Sequence, residues 1–278
     1  MTLPIVAVDR ELRQKLCSIV TQKTGIQLPE NKSAMIEGRL RKRIRAVGVP
    51  DIRTYLEMVF DGGHLANELP HIIDVLTTNK TDFFRESPHF DFMVKHILPA
   101  HRAGRAFRFW SAASSTGEEA YTTAMVMAEH AKRQPGFQFS ILGTDISSTV
   151  VTKARQGVYS RDDIVDIPRP MQDEYLELGH SSDGRALARV IKPLRERVKF
   201  AQMNLTTAPY PVEKNMDVIF LRNVLIYFND AMQKQVVSAV TDHLRPGGYL
   251  FVGHSESAAA TDPRLVQKAA AVYRKEAD

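Results

Sequence analysis

The residues whose types and spacing most suggest chemistry lie in Phe109-Trp110-Ser111-Ala112-Ala113-Ser114-Ser115-Thr116-Gly117-Glu118-Glu119-Ala120-Tyr121. This stretch reads as a buried strand, a turn of small residues and a helix that opens with two carboxylates. Small side chains let backbone N–H groups approach a ligand closely. A phosphate-binding loop relies on the bare N–H groups of a helix N-terminus, and Glu118 and Glu119 would repel a phosphate there. The loop therefore suits a ligand that offers hydroxyls, an amine or a sulfonium cation at that point.

Other polar clusters leave apolar runs in the same way. In Gly143-Thr144-Asp145-Ile146-Ser147, an acidic residue roughly 20 to 30 positions after a glycine-containing loop is placed to accept hydrogen bonds from ribose hydroxyls. Asp145 could instead cap the following helix, as could Ser147. Arg222 and Asn223 follow the apolar run Val218-Ile219-Phe220, where such groups are costly unless paired or facing a ligand. Tyr227 stands four residues after Asn223, on the same side of the segment if it is helical; a core aromatic with a satisfied hydroxyl is the other reading. Asn204-Leu205 is either part of the site or a plain turn. Thr77-Thr78-Asn79-Lys80-Thr81-Asp82-Phe83-Phe84-Arg85-Glu86 suits a segment folding over a cleft, or a helix start capped by Thr81 or Asp82. No Cys/His group has metal-ligand spacing, so no metal is expected. A GxSxG elbow and a GxxxxGK[ST] loop are both missing, and nothing indicates a nucleophile–base pair.

The elements that must position these residues change character along the chain. Residues 9 to about 75 read as helical. Asp9 is a candidate N-cap for a helix over Arg10–Thr24, which Gly25 ends. A second helix spans about Lys32 to Val47, with Met35, Ile36, Leu40, Ile44 and Val47 as its apolar stripe and Arg39, Arg41, Lys42, Arg43 and Arg45 on its other faces. Further helices cover Ile52–Phe60 and Leu65–Leu76. Beyond about residue 105, strands alternate with helices: strands at Phe107–Ser111, Phe137–Gly143 and Met216–Leu221, and helices at Glu118–Lys132, Ser147–Arg155 and Asp230–His243. Pro246-Gly247-Gly248 turns into a strand over Tyr249–Gly253, and Val272–Arg274 could be a last one. That order predicts a doubly wound, mostly parallel α/β sheet with its site beyond the strands' carboxyl ends. Between Tyr159 and Met203 the rhythm breaks. A helix near Met171–Leu178 and the polar turn Gly179–Gly184, followed by Leu187–Ile191 and Val198–Gln202, predict a small antiparallel β insertion at about 160–202. The domains are thus a helical region over 1–76, a linker over 77–90 and a sheet domain over 91–278.

Composition bounds the rest. At 278 residues with 44% hydrophobic and 25% charged content, core burial is not in doubt. Cys17 is the only cysteine, which points to a reducing compartment. No apolar run approaches the ~18 to 20 residues of a membrane span, and no secretory leader pattern opens the chain, so a cytoplasmic location is expected. The net charge of +5 and pI near 9.3 permit an acidic partner. A mildly basic enzyme with no polyanion partner fits equally well.

Taken in order and register, TTNKTDFFRE (77–86), FWSAASSTGEEAY (109–121), GTDIS (143–147), FLRNVLIYF (220–228) and LRPGGYLFVGHSES (244–257) resemble the chemotaxis receptor methyltransferases, the CheR family. The resemblance covers nearly the whole chain. Ala120 stands where the family commonly has Pro, Ala113 and Ser114 where it often has Gly and Cys, and Leu221 where it often has Cys. None of these removes a polar ligand. The resemblance implies a Rossmann-like S-adenosylmethionine-dependent enzyme that esterifies glutamate side chains of chemoreceptors for sensory adaptation. It implies that Asn79, Thr81 and Arg85 close over the cofactor from the linker. Glu119 would meet the methionine portion or hold the loop. Asp145 would bind the ribose, Asn204 and Leu205 would flank the adenine, and Arg222 and Asn223 would line the pocket near the methyl group. Arg85 and Tyr227 are the candidates for orienting the substrate carboxylate. The cationic helix with Arg39, Arg41, Lys42, Arg43 and Arg45 is expected to dock on Glu-rich receptor helices, unless it is only a solvated face. In some family members the β insertion binds a receptor C-terminal peptide as an extra strand. A monomer suffices for all of this. A nucleic-acid methyltransferase would need an Asn-Pro-Pro-Tyr-like or Pro-Cys motif for a flipped base, and neither occurs, so no nucleic acid is expected.

Overall fold

The computed structural model describes residues 5–28, 33–101 and 104–276. The helical region contains α1 (Ile5–Thr24), α2 (Ser33–Val47), α3 (Ile52–Phe60) and α4 (Leu65–Leu76). Leu16 and Val20 of α1, Ile36 and Leu40 of α2, Leu56 of α3 and Ile72 of α4 meet in one core. Asp9 does not cap α1: no Gly or Pro stands between Ile5 and Arg10, and the helix already runs through it from Ile5. The expected start of the second helix at Lys32 lies outside the described residues. Asp51 caps α3 by accepting the N–H of Thr54 at 2.8 Å, a bond that satisfies one of the free donors of a helix N-terminus.

A linker leads through α5 (Pro88–Phe92) to the second region: β1 (Phe107–Ser111), α6 (Glu118–Arg133), β2 (Phe139–Asp145), α7 (Ser148–Gln156), β3 (Val158–Ser160), α8 (Arg169–Tyr175), β4 (Leu176–His180), β5 (Ala186–Val190), α9 (Lys192–Arg195), β6 (Val198–Gln202), β7 (Met216–Leu221), α10 (Asp230–Thr241), β8 (Leu244–Val252), β9 (Leu265–Ala269) and β10 (Val272–Lys275). The main sheet has the order β6-β2-β1-β7-β8-β10-β9. Its first five strands are parallel, and β10 and β9 add antiparallel at one edge. All of β7 is buried, as expected of a strand covered on both faces.

The sequence reading needs several amendments here: the helix expected near Met171–Leu178 ends at Tyr175, and Leu176–His180, reaching into the expected turn at Gly179, is β4. Val198–Gln202 is not part of the insertion: as β6 it pairs in parallel with β2, Ile141 opposite Val198 and Asp145 opposite Gln202. The antiparallel insertion consists of β3, β5 and β4, its hairpin being β4–β5 around the turn at 181–185. Alternation alone cannot tell an edge strand of one sheet from a strand of its neighbour. Pro246-Gly247-Gly248 is an irregularity within β8, where the register against β7 shifts, rather than a turn before it. β9 was not anticipated, since Leu265-Val266-Gln267-Lys268-Ala269 is short and largely exposed.

The amino ends of these strands are tied by one carboxylate. Asp217 in β7 is fully buried, and it accepts from the Arg105 guanidinium, from the Arg108 N–H at 3.0 Å and from Arg245 Nε at 2.7 Å. Burial alone would raise its pKa, but Arg105, the Arg108 amide and Arg245 outweigh burial and hold it below the ordinary value. A depressed folded-state pKa means that this stabilisation is complete above the unfolded value of about 3.9 and is lost as the pH falls through the folded value. Asp217→Ala is expected to cost about 1 to 3 kcal/mol in denaturant unfolding, because it removes the acceptor for the Arg108 amide and for two partly exposed guanidinium groups. Asp217→Asn should flatten the loss of stability below about pH 4; an acid profile unchanged from wild type would contradict this account.

Candidate functional site

A cavity opens at the carboxyl ends of β1, β2, β6 and β7, on both sides of the point where the strand order reverses, as the rule for open α/β sheets requires. The linker and the end of α1 close it. Asn79, Thr81, Arg85, Glu119, Asp145, Asn204, Leu205, Arg222, Asn223 and Tyr227 all line it. The structure thus gathers every expected pocket residue in one place, although several do something other than expected there.

The small-residue loop after β1 is built by sterics. Gly117 has φ 98°, and a Cβ there would lie 3.0 Å from Ala154 Cβ and 3.1 Å from Phe200 and the Tyr159 hydroxyl. Its backbone starts α6, whose first two residues point apart because successive helix positions are about 100° apart. Glu119 faces the cavity, accepting from Ser111 Oγ at 2.7 Å, with Arg222 Nη1 at 3.4 Å from its other oxygen. Burial raises its pKa, against the pull of Arg222. Glu118 does not line the cavity. Its carboxylate is capped by Thr116 Oγ1 at 2.7 and 2.8 Å, and burial pushes its pKa up to about 7. The paired-carboxylate picture of this loop therefore reduces to Glu119.

Asp145 is not the helix cap. Ser147 holds that position, accepting from the Val150 N–H, while Asp145 Oδ2 and Oδ1 accept from the Ser115 and Ser147 amides at 2.9 and 3.0 Å. A carboxylate offers about four acceptor sites, so capacity remains for hydroxyl donors in the cavity. Burial raises its pKa, opposed by those amides. The Asn204 side chain is committed elsewhere: Nδ2 donates to the Lys23 carbonyl at 2.7 Å, and Oδ1 accepts from Thr206 N and Oγ1 at 3.0 and 2.9 Å. It fastens the end of α1 to the sheet, leaving buried Leu205 as the apolar surface of this corner.

After β7 the chain is not helical at Asn223, which has φ 58°; only Leu225–Tyr227 forms a short 3₁₀ turn. The spacing argument for Tyr227 therefore fails, although Tyr227 does line the cavity. Glu256 holds this loop: Oε2 accepts from Asn223 N and Gly253 N, both at 2.7 Å, and Oε1 from Ile226 N at 3.2 Å. Arg222 is buried. Nη2 donates to the Arg85 carbonyl at 2.5 Å and lies 3.3 Å from Glu86 Oε2, and the guanidinium sits over the rings of Phe90 and Phe220. Its Nε and Nη1 have no hydrogen-bond partner. Nη1 nonetheless lies 3.4 Å from Glu119 Oε2, so the two form an ion pair beside the cavity.

The linker carries Arg85 between two residues in the left-handed region, Phe84 and Glu86, each at φ 54°. Such backbone costs on the order of 1 to 3 kcal/mol per residue and persists only where its surroundings enforce it. Phe84 N donates to Thr122 Oγ1 at 3.1 Å, Ser115 Oγ donates to the Asn79 carbonyl at 2.8 Å, and Arg85 Nη1 donates to the Lys80 carbonyl at 2.9 Å. Thr81 and Asp82 cap no helix, since α5 begins only at Pro88, after Ser87. The cleft-covering reading of this segment is the one the geometry supports.

Glu86 and Glu256 were not singled out from the sequence, although both stand in quoted phrases. Each is one Glu among many, and its partners are far away in the chain. Among the described residues, Glu86, His89 and His254 also bring three possible metal-ligand atoms within 4.8 Å. The two imidazoles stack face to face at 4.7 Å and 8° rather than converging edge-on, and Arg222 lies against the same Glu86 oxygen. Both features oppose a dication, which needs in-plane lone pairs and no adjacent cation. Burial, with Arg222 close by, lowers the His89 pKa to about 4, so this ring is neutral at pH 7.

Two family descriptions match the chain: "CheR methyltransferase, all-alpha domain" over residues 12–77 and "CheR methyltransferase, SAM binding domain" over residues 79–273. The chain is similar to a chemotaxis protein methyltransferase of Escherichia coli, 34% identical over 273 residues, covering 98% of this chain and 93% of that one. A Salmonella typhimurium protein of the same description is 35% identical over 257 residues, covering 92% and 87%. One from Borreliella burgdorferi is 34% identical over 258 residues, covering 90% and 89%.

The basic face of α2 divides in two. Arg43 is used internally: Nε and Nη2 donate to Glu68 at 2.8 and 2.6 Å, and the Tyr55 hydroxyl completes the pair at 2.8 Å. Arg39 is also committed, to the Leu76 carbonyl at 2.5 Å and Thr78 Oγ1 at 2.8 Å, and it lines the cavity. Arg41, Lys42 and Arg45 are exposed. Arg43→Ala should therefore lower stability by about 1 to 3 kcal/mol, through a carboxylate left short of partners, whereas Lys42→Ala should stay within about 0.5 kcal/mol of wild type. Equal thermal melts for the two variants would place Arg43 on the solvent face after all.

Proposed function

The chain belongs to the CheR methyltransferase family, and from that membership we propose how its residues divide the work of the reaction. The protein is an S-adenosylmethionine-dependent methyltransferase that acts on chemoreceptors, converting glutamate side-chain carboxylates to methyl esters. The observation that carries the assignment of roles is the convergence of the linker, the β1 loop, Asp145 and the Arg222–Tyr227 loop on one cavity.

The cavity's chemistry fits the cofactor. Asp145 retains acceptor capacity for the ribose hydroxyls, Leu205 offers an apolar face to the adenine, and the Arg222 guanidinium lines the end of the cavity where the amino-acid carboxylate would lie. Glu119 would meet the ammonium of that same portion. Asn79 and Thr81 hold the linker over the bound molecule.

When bound, S-adenosylmethionine supplies an electrophilic sulfonium methyl. A glutamate side chain with a pKa near ~4.3 is already ionised at pH 7, so the acceptor needs no general base. One carboxylate oxygen forms the new O–C bond as the S–C bond breaks, leaving a neutral ester and a thioether. Charge is lost on the way to the transition state, so a tight ionic clamp on the carboxylate would stabilise the reactants more. Arg85 suits a lighter role. With Nη1 already on the Lys80 carbonyl, it positions one oxygen, with Tyr227 lining the same cavity. Rate then comes from alignment and from water excluded by the linker.

Substrate docking falls to Arg41, Lys42 and Arg45 on α2, attracted to the acidic faces of receptor helices. The outer edge of β4 is unpaired in the order β3-β5-β4 and exposes Leu178, which supports addition of a receptor C-terminal peptide as a further strand. No described helix is long and apolar enough to cross a membrane, and the protein acts as a monomer in the cytoplasm.

Incubation with receptor-containing membranes and methyl-labelled S-adenosylmethionine should transfer label that mild base releases, as a carboxyl ester requires; base-stable label would reject glutamate esterification. Arg85→Ala should lose at least about tenfold in transfer while changing S-adenosylhomocysteine affinity less than about threefold. Equal losses would make Arg85 a cofactor ligand only. Raising salt from 50 to 300 mM should raise the KM for receptor, and the triple charge reversal of Arg41, Lys42 and Arg45 should abolish that dependence. A KM indifferent to salt would rule out electrostatic docking.

A further inference from the structure

Asn223 has two amide ends of opposite hydrogen-bonding character on a loop with almost no freedom. Its N–H is held by Glu256 Oε2 at 2.7 Å, and its backbone is in the left-handed region. Behind it, a Cβ at Gly253 would come within 2.7 Å of both Asn223 Nδ2 and Glu256 Oε2, so the side chain packs directly on the β8 exit. What remains open is which end of the amide faces the cavity, and Glu86 decides it. Glu86 Oε1 receives Asn223 Nδ2 at 3.1 Å, while Oε2, buried without a hydrogen-bond partner, lies 3.3 Å from Arg222 Nη2 and 3.0 Å from His254 Nδ1. An ionised carboxylate only accepts. A reversed amide would set two acceptor oxygens against each other.

We propose that Glu86 is a positioning residue for methyl transfer, fixing the Asn223 amide so that its oxygen is presented to the cofactor. This rests on the reading of the cavity given above and refines it. Adjacent residues then sort the two ends of the cofactor's amino-acid portion: the Arg222 guanidinium takes the carboxylate, and Asn223 Oδ1 takes a donor, the ammonium. Glu86 reaches both residues from the linker, 137 positions before Asn223 in the chain. Its pKa is lowered despite burial, by Arg222 and Asn223, so the acceptor form is the one present at neutral pH.

The test is S-adenosylhomocysteine affinity by calorimetry on the full chain, together with KM and kcat for methyl transfer. Glu86→Leu should weaken binding by about tenfold or more and raise the KM for S-adenosylmethionine, whereas Glu86→Gln, whose carbonyl can still receive Nδ2, should stay within about threefold. In an Asn223→Ala background the part of the Glu86→Leu loss that runs through the amide should vanish, leaving a clearly smaller loss that passes through Arg222. Equal losses for Gln and Leu, or an undiminished Leu loss in that background, would overturn the proposal. A second pair does not depend on Glu86→Leu folding. Asn223→Asp should bind worse than Asn223→Ala, because it faces Glu86 with a second carboxylate, and Glu86→Gln should restore part of the loss. Asn223→Asp binding as well as Asn223→Ala would also refute the positioning role. Wild-type protein that failed to bind S-adenosylhomocysteine would instead overturn the cofactor reading itself, which separates the two failures.

Discussion

The buried guanidinium of Arg222 joins parts of the chain that are otherwise independent. It leaves β7 at the sheet's switch point, donates to the backbone of the linker at Arg85, and lies between Glu86 of the linker and Glu119 of α6. A cation this deep is tolerable only if opposite charges and acceptors surround it. That requirement fixes where the linker crosses the sheet. It also explains why two residues on either side of Arg85 accept left-handed backbone: the chain must turn its carbonyl inward to Arg222 while its side chains cover the cavity. Part of the guanidinium is left without a hydrogen-bond partner, while Glu119 stands 3.4 Å from its Nη1.

The same economy of charge shapes the chemistry. The reaction joins an anion to a cationic methyl donor and leaves two neutral groups, so the enzyme gains little from holding either charge tightly in the ground state. Of the charged groups lining the cavity, Glu119 is already matched by Arg222, and Arg85 already shares a donor with the linker backbone. The helical region completes the enclosure through Asn204 on the Lys23 carbonyl, Gln27 N on the Tyr227 carbonyl at 2.8 Å, and Thr149 on Asp74. These contacts make the wall that excludes water depend on how the two regions sit together.

Much of the architecture was legible because it is written in local patterns. The apolar spacing of Ile52–Phe60 and Leu65–Leu76 and the run Met216–Leu221, apolar but for Asp217, match the observed elements to the residue, since helix and strand periods are set by neighbours in sequence. The pocket residues were legible as polar groups at the ends of apolar runs, which a parallel sheet must bring to one edge. Illegible were choices made by distant partners. Val198–Gln202 could have paired in either sheet, and only the neighbouring edge of β2 decides it. Arg43 and Lys42 are adjacent and alike in charge, yet Glu68 and Tyr55 from other helices claim one and leave the other in solvent.

The sequence by itself thus determined most of the alternation of helices and strands, a site beyond the strands' carboxyl ends and, through phrases in register, the family and its methyl-transfer chemistry. Only the tertiary structure decided which of Glu118 and Glu119 faces the cavity, that Ser147 and not Asp145 caps α7, that Asn204 is a fastener, and that Glu86 and Glu256 govern Asn223. The physical reason is common to all of these. A side chain's direction and its hydrogen-bond partner depend on groups brought together by folding, often more than a hundred residues apart, and no local spacing carries that information.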